Sequence, residues 1–383
     1  MTDQKIASII RSRYDKLYDK QKPIFDKVEQ YHQMYRAEVD EDDSWQWDYN
    51  LVDPVIFYLV RTMMAKFNPD SFKVRLEART QKDLANREIN QQVVNWELEE
   101  MSKTLVFYNF IFRGILAGRS YLKTGWLFNK ALEITEGDTR KVIMRDIVNR
   151  GYAKNIRFND LFIPNANNPF LDEQPYLIER VLITYGEMLD DNKTQDREIW
   201  DASLLKKIRE KNMFETTVDY GVDLLQDDEA LSKDKENTFL RNQFVSLLRM
   251  QTKDNEVFYI PTQQEEWILN KNRGNEYWHG HYPYITWTPF PEDDEFFSMG
   301  VVQPVADLQI ALTDSLNQFL TNARKAGSPM WIAGSGASQT PDWMFVNRPD
   351  GIIRVVGEPN QVVQARTIDT SETMLNMRRE MLT

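Results

Sequence analysis

The sequence contains no cysteine and only three histidines, His32, His279 and His281. Without cysteine the chain cannot carry a disulfide framework, a cysteine-ligated zinc finger, an iron–sulfur centre or a thiol nucleophile. Three histidines leave little for a histidine-rich metal site, and they suggest no Ser/His/Asp catalytic set. We therefore predict no catalytic residues.

Long apolar runs are also missing. The two longest, residues 52–60 and 105–112, fall far below the roughly 20 residues that span a bilayer. They are interrupted by Asp53, Pro54 and Asn109. No apolar segment follows the first charged residues, as a secretory signal would require. We therefore expect no membrane partner and an intracellular origin.

Basic residues are fewer than acidic ones, 47 against 59, which gives a formal net charge of −12. Such a chain repels phosphate, which argues against a sequence-specific DNA-binding protein and against a basic membrane-surface protein. With 42% apolar and 28% charged residues, the composition is that of a folded chain. Because a chain of 383 residues is longer than one compact core usually accommodates, we expect two or three substructures.

Glycine-rich nucleotide motifs are absent. The only Gly-x-Gly, Gly334-Ser-Gly336, lacks the third glycine of a dinucleotide fold, and the dipeptide Gly-Lys of a phosphate-binding P-loop occurs nowhere. We interpret the glycine pair as a tight turn, and we predict no cofactor.

One arrangement could in principle hold a divalent metal: His279 and His281 stand shortly before the acidic run at residues 292–295. The simpler interpretation is a strand end followed by a solvated acidic loop, and we favour it. A second acidic run, residues 40–43, is likewise expected to be a solvated patch. We therefore predict no metal site.

The hydrophobic pattern predicts an α+β chain. Helices are expected across residues 1–66, with a new helix starting at Pro23, and again across 81–117. The predicted strands are 71–77, 120–128, 133–147, 176–183, 244–250, 257–261 and 266–269. The second and third of these are expected to pair through a turn at Gly137-Asp138.

The most informative element is a long helix predicted from Val301 to Ala326 and stopped by Gly327, with Pro304 tolerated in its first turn. One face is expected to be apolar, comprising Val305, Leu308, Leu312, Leu316, Phe319 and Ala323. A β-rich insert is predicted after it, at residues 329–365, and a further helix at 373–382.

The order of segments resembles that of portal proteins, the head–tail connectors of tailed bacteriophages, most closely the short-tailed-phage type. No single motif carries the resemblance; five passages in sequence do. These are residues 66–77 with the helix 81–96, residues 114–126, residues 156–164 with 176–184, residues 281–300, and the long helix with Asn322…Gly327-Ser-Pro-Met-Trp331.

The resemblance implies a portal-like fold with a helical and β wing domain at residues 1–300. A first stem helix would follow at 301–327, a small β-rich clip at 328–367, and the start of a truncated second stem helix at 368–383. By this comparison, we expect the tunnel loop, further wing and crown that follow in the family to have no counterpart within these 383 residues.

The resemblance also implies a function: a homo-dodecameric ring at one capsid vertex of the virion, made in the host cytoplasm. Implied partners are the major capsid and scaffolding proteins, the terminase large subunit, the tail adaptor and double-stranded DNA passing non-specifically. From helical phase, the residues expected at the DNA channel are Gln309, Thr313, Asn317, Arg324 and Lys325. Clip contacts with partners are expected at Trp331, Trp343, Phe345 and Arg348, for which packing inside the insert is the equal alternative.

Two competing hypotheses remain. One is another virion ring or adaptor protein of the head–tail junction, for which shorter helices and a smaller chain are expected. The other is a metal-dependent enzyme using His279, His281 and the acids at 292–295, which a metal assay on purified protein would distinguish.

Overall fold

The computed structural model describes most of the chain. The described residues are 2–38, 50–67, 73–78, 80–81, 83–101, 103–135, 141–194, 199–215, 241–254, 256–263, 266–274, 280–327, 331–334, 352–355, 362–364, 376 and 379. Side chains are described for these residues except 127–135, 141–149, 193–194, 325, 327, 331–334, 352–355 and 362–364.

The chain begins with one helix, α1, Asp3–Arg36, of 34 residues. The prediction that Pro23 starts a second helix is wrong, because the helix continues through it. Proline removes one backbone hydrogen bond from a helix interior. The apolar stripe continues on both sides of Pro23, and burial of Leu17 before it and Phe25 after it offsets that loss.

Six further helices and ten strands are present in the described part of the chain. The helices are α2 Val55–Ala65, α3 Arg87–Glu100, α4 Lys103–Ala117, α5 Tyr185–Thr194, α6 Ala202–Glu210 and α7 Ala306–Gly327. The first five strands are β1 Ser120–Thr135, β2 Lys141–Ile156, β3 Leu161–Phe162, β4 Tyr176–Thr184 and β5 Phe244–Thr252. The others are β6 Val257–Pro261, β7 Tyr284–Trp287, β8 Trp331–Gly334, β9 Ile352–Val355 and β10 Val362–Gln364. This mixture confirms the predicted α+β class.

The strands form three sheets. Their orders are β2-β1-β7, β3-β4-β5-β6 and β10-β8-β9. The first two sheets are antiparallel. In the third, β8 pairs in parallel with β9 and antiparallel with β10. The third sheet gives the predicted insert its β structure.

The chain divides into two compact units. One comprises Met1–Val28 with Ala65–Val301, and the other comprises Glu29–Met64 with Val302–Thr383. Residues 29–64 thus group with the long helix α7 and not with the rest of residues 1–300, where the wing was expected. The names wing, stem and clip remain predictions. The expected second stem helix lies outside the described residues, apart from Asn376 and Arg379, which are helical.

The predicted pairing of the first two long strands is confirmed. β1 and β2 form a hairpin whose register runs from Tyr121 opposite Ile156 to Thr135 opposite Lys141. Residues 133–135, expected to begin the second strand, belong to the first. The register shifts once, between Asn129 and Lys130.

The predicted strand at 71–77 is absent from its described part, residues 73–78, which pair with no strand. Side-chain amides of α3 take the place of a neighbouring strand. Val74 N donates to Asn95 Oδ1 at 2.9 Å, and Asn95 Nδ2 donates to Val74 O at 3.0 Å. Leu76 N donates to Gln91 Oε1 at 3.1 Å. The strand predicted at 266–269 is also wrong, because those residues form no ladder with a neighbour.

The first unit has a core on each face of the four-stranded sheet. On one side, α1 packs its buried stripe against β4, β5 and β6; this cluster includes Ile10, Leu17, Phe25, Phe162, Leu248 and Ile260. A second cluster joins this sheet to β1 and β7, and includes Tyr121, Leu161, Leu177, Tyr284 and Phe296.

A buried charged network also joins the two sheets of this unit. Lys123 on β1 lies 2.6 Å from Glu179 on β4, measured from Nζ to Oε2. Tyr284 Oη donates to the same carboxylate oxygen at 2.7 Å, and Arg249 Nη1 donates to Tyr284 Oη at 2.7 Å. Burial raises the pKa of Tyr284 well above its usual value, so this hydroxyl stays protonated and can donate.

A second buried tyrosine gives a prediction at alkaline pH. Burial raises the pKa of Tyr121 far above its unfolded value near 10, and Tyr121 Oη has no hydrogen-bond partner in the described part of the chain. The folded state therefore keeps this proton while the unfolded state loses it, so stability is intact below about pH 10 and falls above it. In Tyr121→Phe, the free energy of unfolding should therefore fall less steeply above pH 10, by about 1.4 kcal/mol per pH unit.

The measurement is the free energy of unfolding in urea between pH 8 and 12. At pH 8 we expect Tyr121→Phe to be neutral or slightly stabilising, because it removes an unpaired buried hydroxyl. Tyr58→Phe, on a side chain that is 63% exposed, is the control and should leave the slope unchanged. Equal slopes for wild type and Tyr121→Phe would contradict the prediction.

Two glycines make a close backbone crossing just before the long helix in sequence. Gly118, at the end of α4, has φ +85°, and a Cβ there would lie 1.9 Å from Ser298 O. A Cβ on Gly300 would lie 2.7 Å from Leu116 O. Val301 N then donates to Ile115 O at 2.9 Å. Only residues without a Cβ allow these two segments to approach so closely.

Candidate functional site

The long helix α7 and the residues packed on it are the candidate functional site. The helix has 22 residues and is about 33 Å long. It begins at Ala306, five residues later than predicted, because the preceding residues form a turn in which Val305 N donates to Val302 O at 3.0 Å. The prediction of a long helix ending at Gly327 is otherwise confirmed.

Three polar side chains on α7 hold the segment that leads into α2. Gln309 accepts from Ile56 N at 2.9 Å and donates to Met34 O at 3.0 Å. Thr313 Oγ1 accepts from Asp53 N at 3.1 Å. We call Gln309, Thr313 and Asn317 the polar ladder.

Asn317 completes the ladder. Its Oδ1 accepts from Leu51 N, and its Nδ2 donates to Leu51 O, both at 3.0 Å. The amide thus bonds both backbone groups of one residue, as a neighbouring strand would.

That the polar ladder lines a DNA channel stays a prediction: Thr313 is half-buried, and the other two members have partners inside the subunit. Gln309 is 3% exposed and Asn317 is 0% exposed, both buried within the subunit. The physical reason is that the buried N–H of Ile56 and the part-buried backbone groups of Leu51 and Asp53 gain hydrogen-bond partners. This gain offsets the cost of burying the two amide side chains. The spacing of four residues between ladder members was the signal in the sequence for a shared, occupied face.

The solvent-facing side of α7 is more apolar than predicted. Leu308 and Ile310 are 36% and 48% exposed. Of the two basic residues expected at the channel, Arg324 is exposed, and the side chain of Lys325 lies outside the description. For these two residues, channel lining stays a prediction.

The polar ladder gives a prediction of its own. Asn317→Leu keeps the branched shape of the side chain but removes both hydrogen bonds to the backbone of Leu51, and we expect a loss of about 1–3 kcal/mol in the free energy of unfolding. Amide hydrogen exchange at residues 51–56 should rise at the same time. Asp314→Ala, at an exposed position three residues earlier, is the control. Unchanged protection of residues 51–56 in Asn317→Leu would contradict the ladder.

Of the four predicted clip-contact residues, only Trp331 lies among the described residues. Trp331 is the first residue of β8 and is paired in register with Ile352 of β9. Trp343, Phe345 and Arg348 lie outside the described residues. The sheet they would accompany is present, and their contacts stay a prediction.

The alternative metal site receives no support from the residues that can be located. His281 Nδ1 lies 3.8 Å from Asp172 Oδ2, and Glu292 Oε1 accepts from Met299 N at 3.3 Å. His279 lies outside the described residues. Within the described ranges, no group of three or more His, Asp or Glu side chains could hold a metal ion. None of the described helices is long and apolar enough to cross a bilayer.

Comparison with known proteins gives one family. No curated protein matches the chain. The family model of the phage SU10 portal protein matches residues 138–382, which is well over half of the sequence. The match begins between β1 and β2 and continues from β2 through α7 and the three-stranded sheet that follows it. The chain therefore belongs to the phage SU10 portal protein family, the portal proteins of tailed phages.

Proposed function

We propose that twelve copies of this chain form the portal ring at one vertex of the phage capsid. The ring is a conduit for the genome during packaging and ejection, and it binds the terminase large subunit first and the tail adaptor later. Its role is structural, it resides in the virion, and the capsid and scaffolding proteins surround it during assembly. The observation that carries this proposal is the family match over residues 138–382.

The charge of the chain supports a conduit. DNA that must slide should not be gripped by many phosphate contacts, since each basic contact strengthens binding. A net charge of −12 per subunit, repeated around a ring, disfavours such gripping. Within this proposal, Arg324 and Lys325 near the end of α7 are the basic channel candidates.

The proposed ring has a simple test in its mass. Each chain weighs 45.3 kDa, so twelve copies weigh about 540 kDa. Native mass spectrometry of the purified chain should show this species. A single species of 45 kDa across the micromolar range would refute the proposed ring.

The proposed clip contacts can be tested separately. We expect Trp343→Ala and Arg348→Ala to weaken terminase binding to the assembled ring by about tenfold or more, because buried Trp and Arg dominate interface energies. The measurement is surface-immobilised binding of the terminase large subunit to rings of matched mass. Trp126→Ala, at an exposed tryptophan on the β1–β2 hairpin, is the control. Wild-type affinity in both clip variants would leave these residues without the proposed role.

A further inference from the structure

Helix α6 presents an unusual basic surface on an acidic chain. Lys206, Lys207, Arg209 and Lys211 are all exposed, on the helix or directly after it. We call these four residues the basic face. Glu210, which is also exposed, lies among them, so this surface carries four basic side chains and one acidic one on a chain whose net charge is −12.

The helix that carries the basic face is firmly held. Leu205 and Ile208 are 1% and 0% exposed and belong to a core cluster of the first unit. At the N-terminus, Asp201 Oδ1 accepts from Ser203 N at 2.8 Å, which caps the helix. The charges are therefore presented from a fixed backbone.

Two of the lysines lie over an aromatic ring. Lys207 Nζ and Lys211 Nζ lie 5.4 Å and 4.7 Å from the centre of the Trp267 ring. Such cation–π contacts restrict the long side chains, so less conformational entropy is lost when a partner binds.

The same chain carries an exposed run of opposite charge. Residues 292–295, Glu-Asp-Asp-Glu, are all exposed, and we call them the acidic loop. In the part of the chain that is described, no ion pair is formed by Asp293, Asp294 or Glu295, nor by Lys206, Lys207 or Arg209. The side chains of both charged surfaces are exposed.

We propose that the basic face of one subunit contacts the acidic loop of a neighbouring copy. The inference rests on the proposed ring and names one of its subunit contacts. Because the two surfaces differ, the contact is head-to-tail, and such contacts generate closed rings when the rotation closes. Charge complementarity of this kind speeds encounter and specifies the correct neighbour.

Nucleic acid fits the basic face less well than an acidic protein segment does. Helix α6 has nine residues and is about 13 Å long, which is short for following several phosphates. Trp267 is already covered by two lysines and offers little ring surface for stacking a base.

The test is a charge-swap series on the full chain, with assembly followed by native mass spectrometry at low and high salt. The basic-face variant is Lys206→Glu with Arg209→Glu, and the acidic-loop variant is Asp293→Lys with Asp294→Lys. At low salt, each variant alone should need about a tenfold higher subunit concentration than wild type for half-maximal assembly. The variant with all four substitutions should return to within about threefold of wild type.

A matched control is Lys16→Glu with Lys20→Glu, which makes the same charge change on exposed positions of α1. It should assemble like wild type apart from a small effect of net charge, and circular dichroism should show that all variants fold. The contact is refuted if the two-charge variants assemble like this control, or if the four-charge variant is no better than either pair. Loss of DNA retention by the basic-face variant with normal assembly would also refute it.

The same series separates this inference from the proposed function. A wild-type chain that stays monomeric refutes both the ring and the contact. A wild-type ring that tolerates every charge reversal refutes the contact alone.

Discussion

Replacing Glu179 with alanine is expected to lower the free energy of unfolding by about 3–5 kcal/mol, because it leaves a buried charge without its partner. Glu179 is 5% exposed and accepts from both Lys123 and Tyr284. Without it, the ammonium group of Lys123 lies between the two sheets with its principal acceptor gone. Urea unfolding followed by tryptophan fluorescence measures the loss.

The matched control is Glu100→Ala, which breaks an ion pair with Arg150 in which both side chains are roughly half exposed. Because solvent screens such a pair, we expect a loss below about 1 kcal/mol. A second variant, Glu179→Gln, keeps an acceptor for Tyr284 but removes the charge and should fall between the two. If Glu179→Ala were no more destabilising than Glu100→Ala, the network would not be what joins the sheets.

The second large effect is expected at the glycine crossing. Gly118→Ala places a Cβ 1.9 Å from Ser298 O on a backbone with φ +85°, so both the contact and the backbone conformation are unfavourable. We expect a loss of about 3–4 kcal/mol in the free energy of unfolding. The readouts are the urea midpoint and the soluble yield of the variant.

Gly274→Ala serves as the control for this substitution. Its added Cβ would meet Asn272 Oδ1 at 3.5 Å, an ordinary contact, and its cost should stay within about 0.5 kcal/mol. Gly300→Ala adds a Cβ on the other of the two crossing segments and should be strongly destabilising as well. Full stability of Gly118→Ala and Gly300→Ala would contradict the close crossing.

Periodicity predicted the long elements of this chain and missed what joins them. The stripe through Leu17 and Phe25 predicted a buried helix face, but it could not show that burial on both sides would carry the helix through Pro23. The β1–β2 hairpin and α7 were predicted because each is long and strongly patterned, whereas their ends depended on single turns.

The candidate site shows a more specific limit of sequence reasoning. Polar residues on a helix were expected to face solvent or a channel, yet Gln309 and Asn317 point inward and bond the backbone of residues 51–56. Gln91 and Asn95 do the same for residues 74–76. In both cases the polar residues are spaced four apart along a helix. Whether such a stripe is solvent-exposed or buried depends on the segment that packs against it.

The glycine crossing was equally hidden. Gly118 and Gly300 lie in two of the passages that carry the portal resemblance, 182 positions apart. The sequence indicates that each glycine could allow a turn or a close approach, but not that they meet each other.

We propose that this portal-family chain closes into a ring of twelve. Averaged electron micrographs of the purified full chain test it most directly, because end-on views report symmetry and channel together. We predict twelve-fold views with a central hole. Particles without a closed ring, or monomers at every concentration tested, would contradict the account.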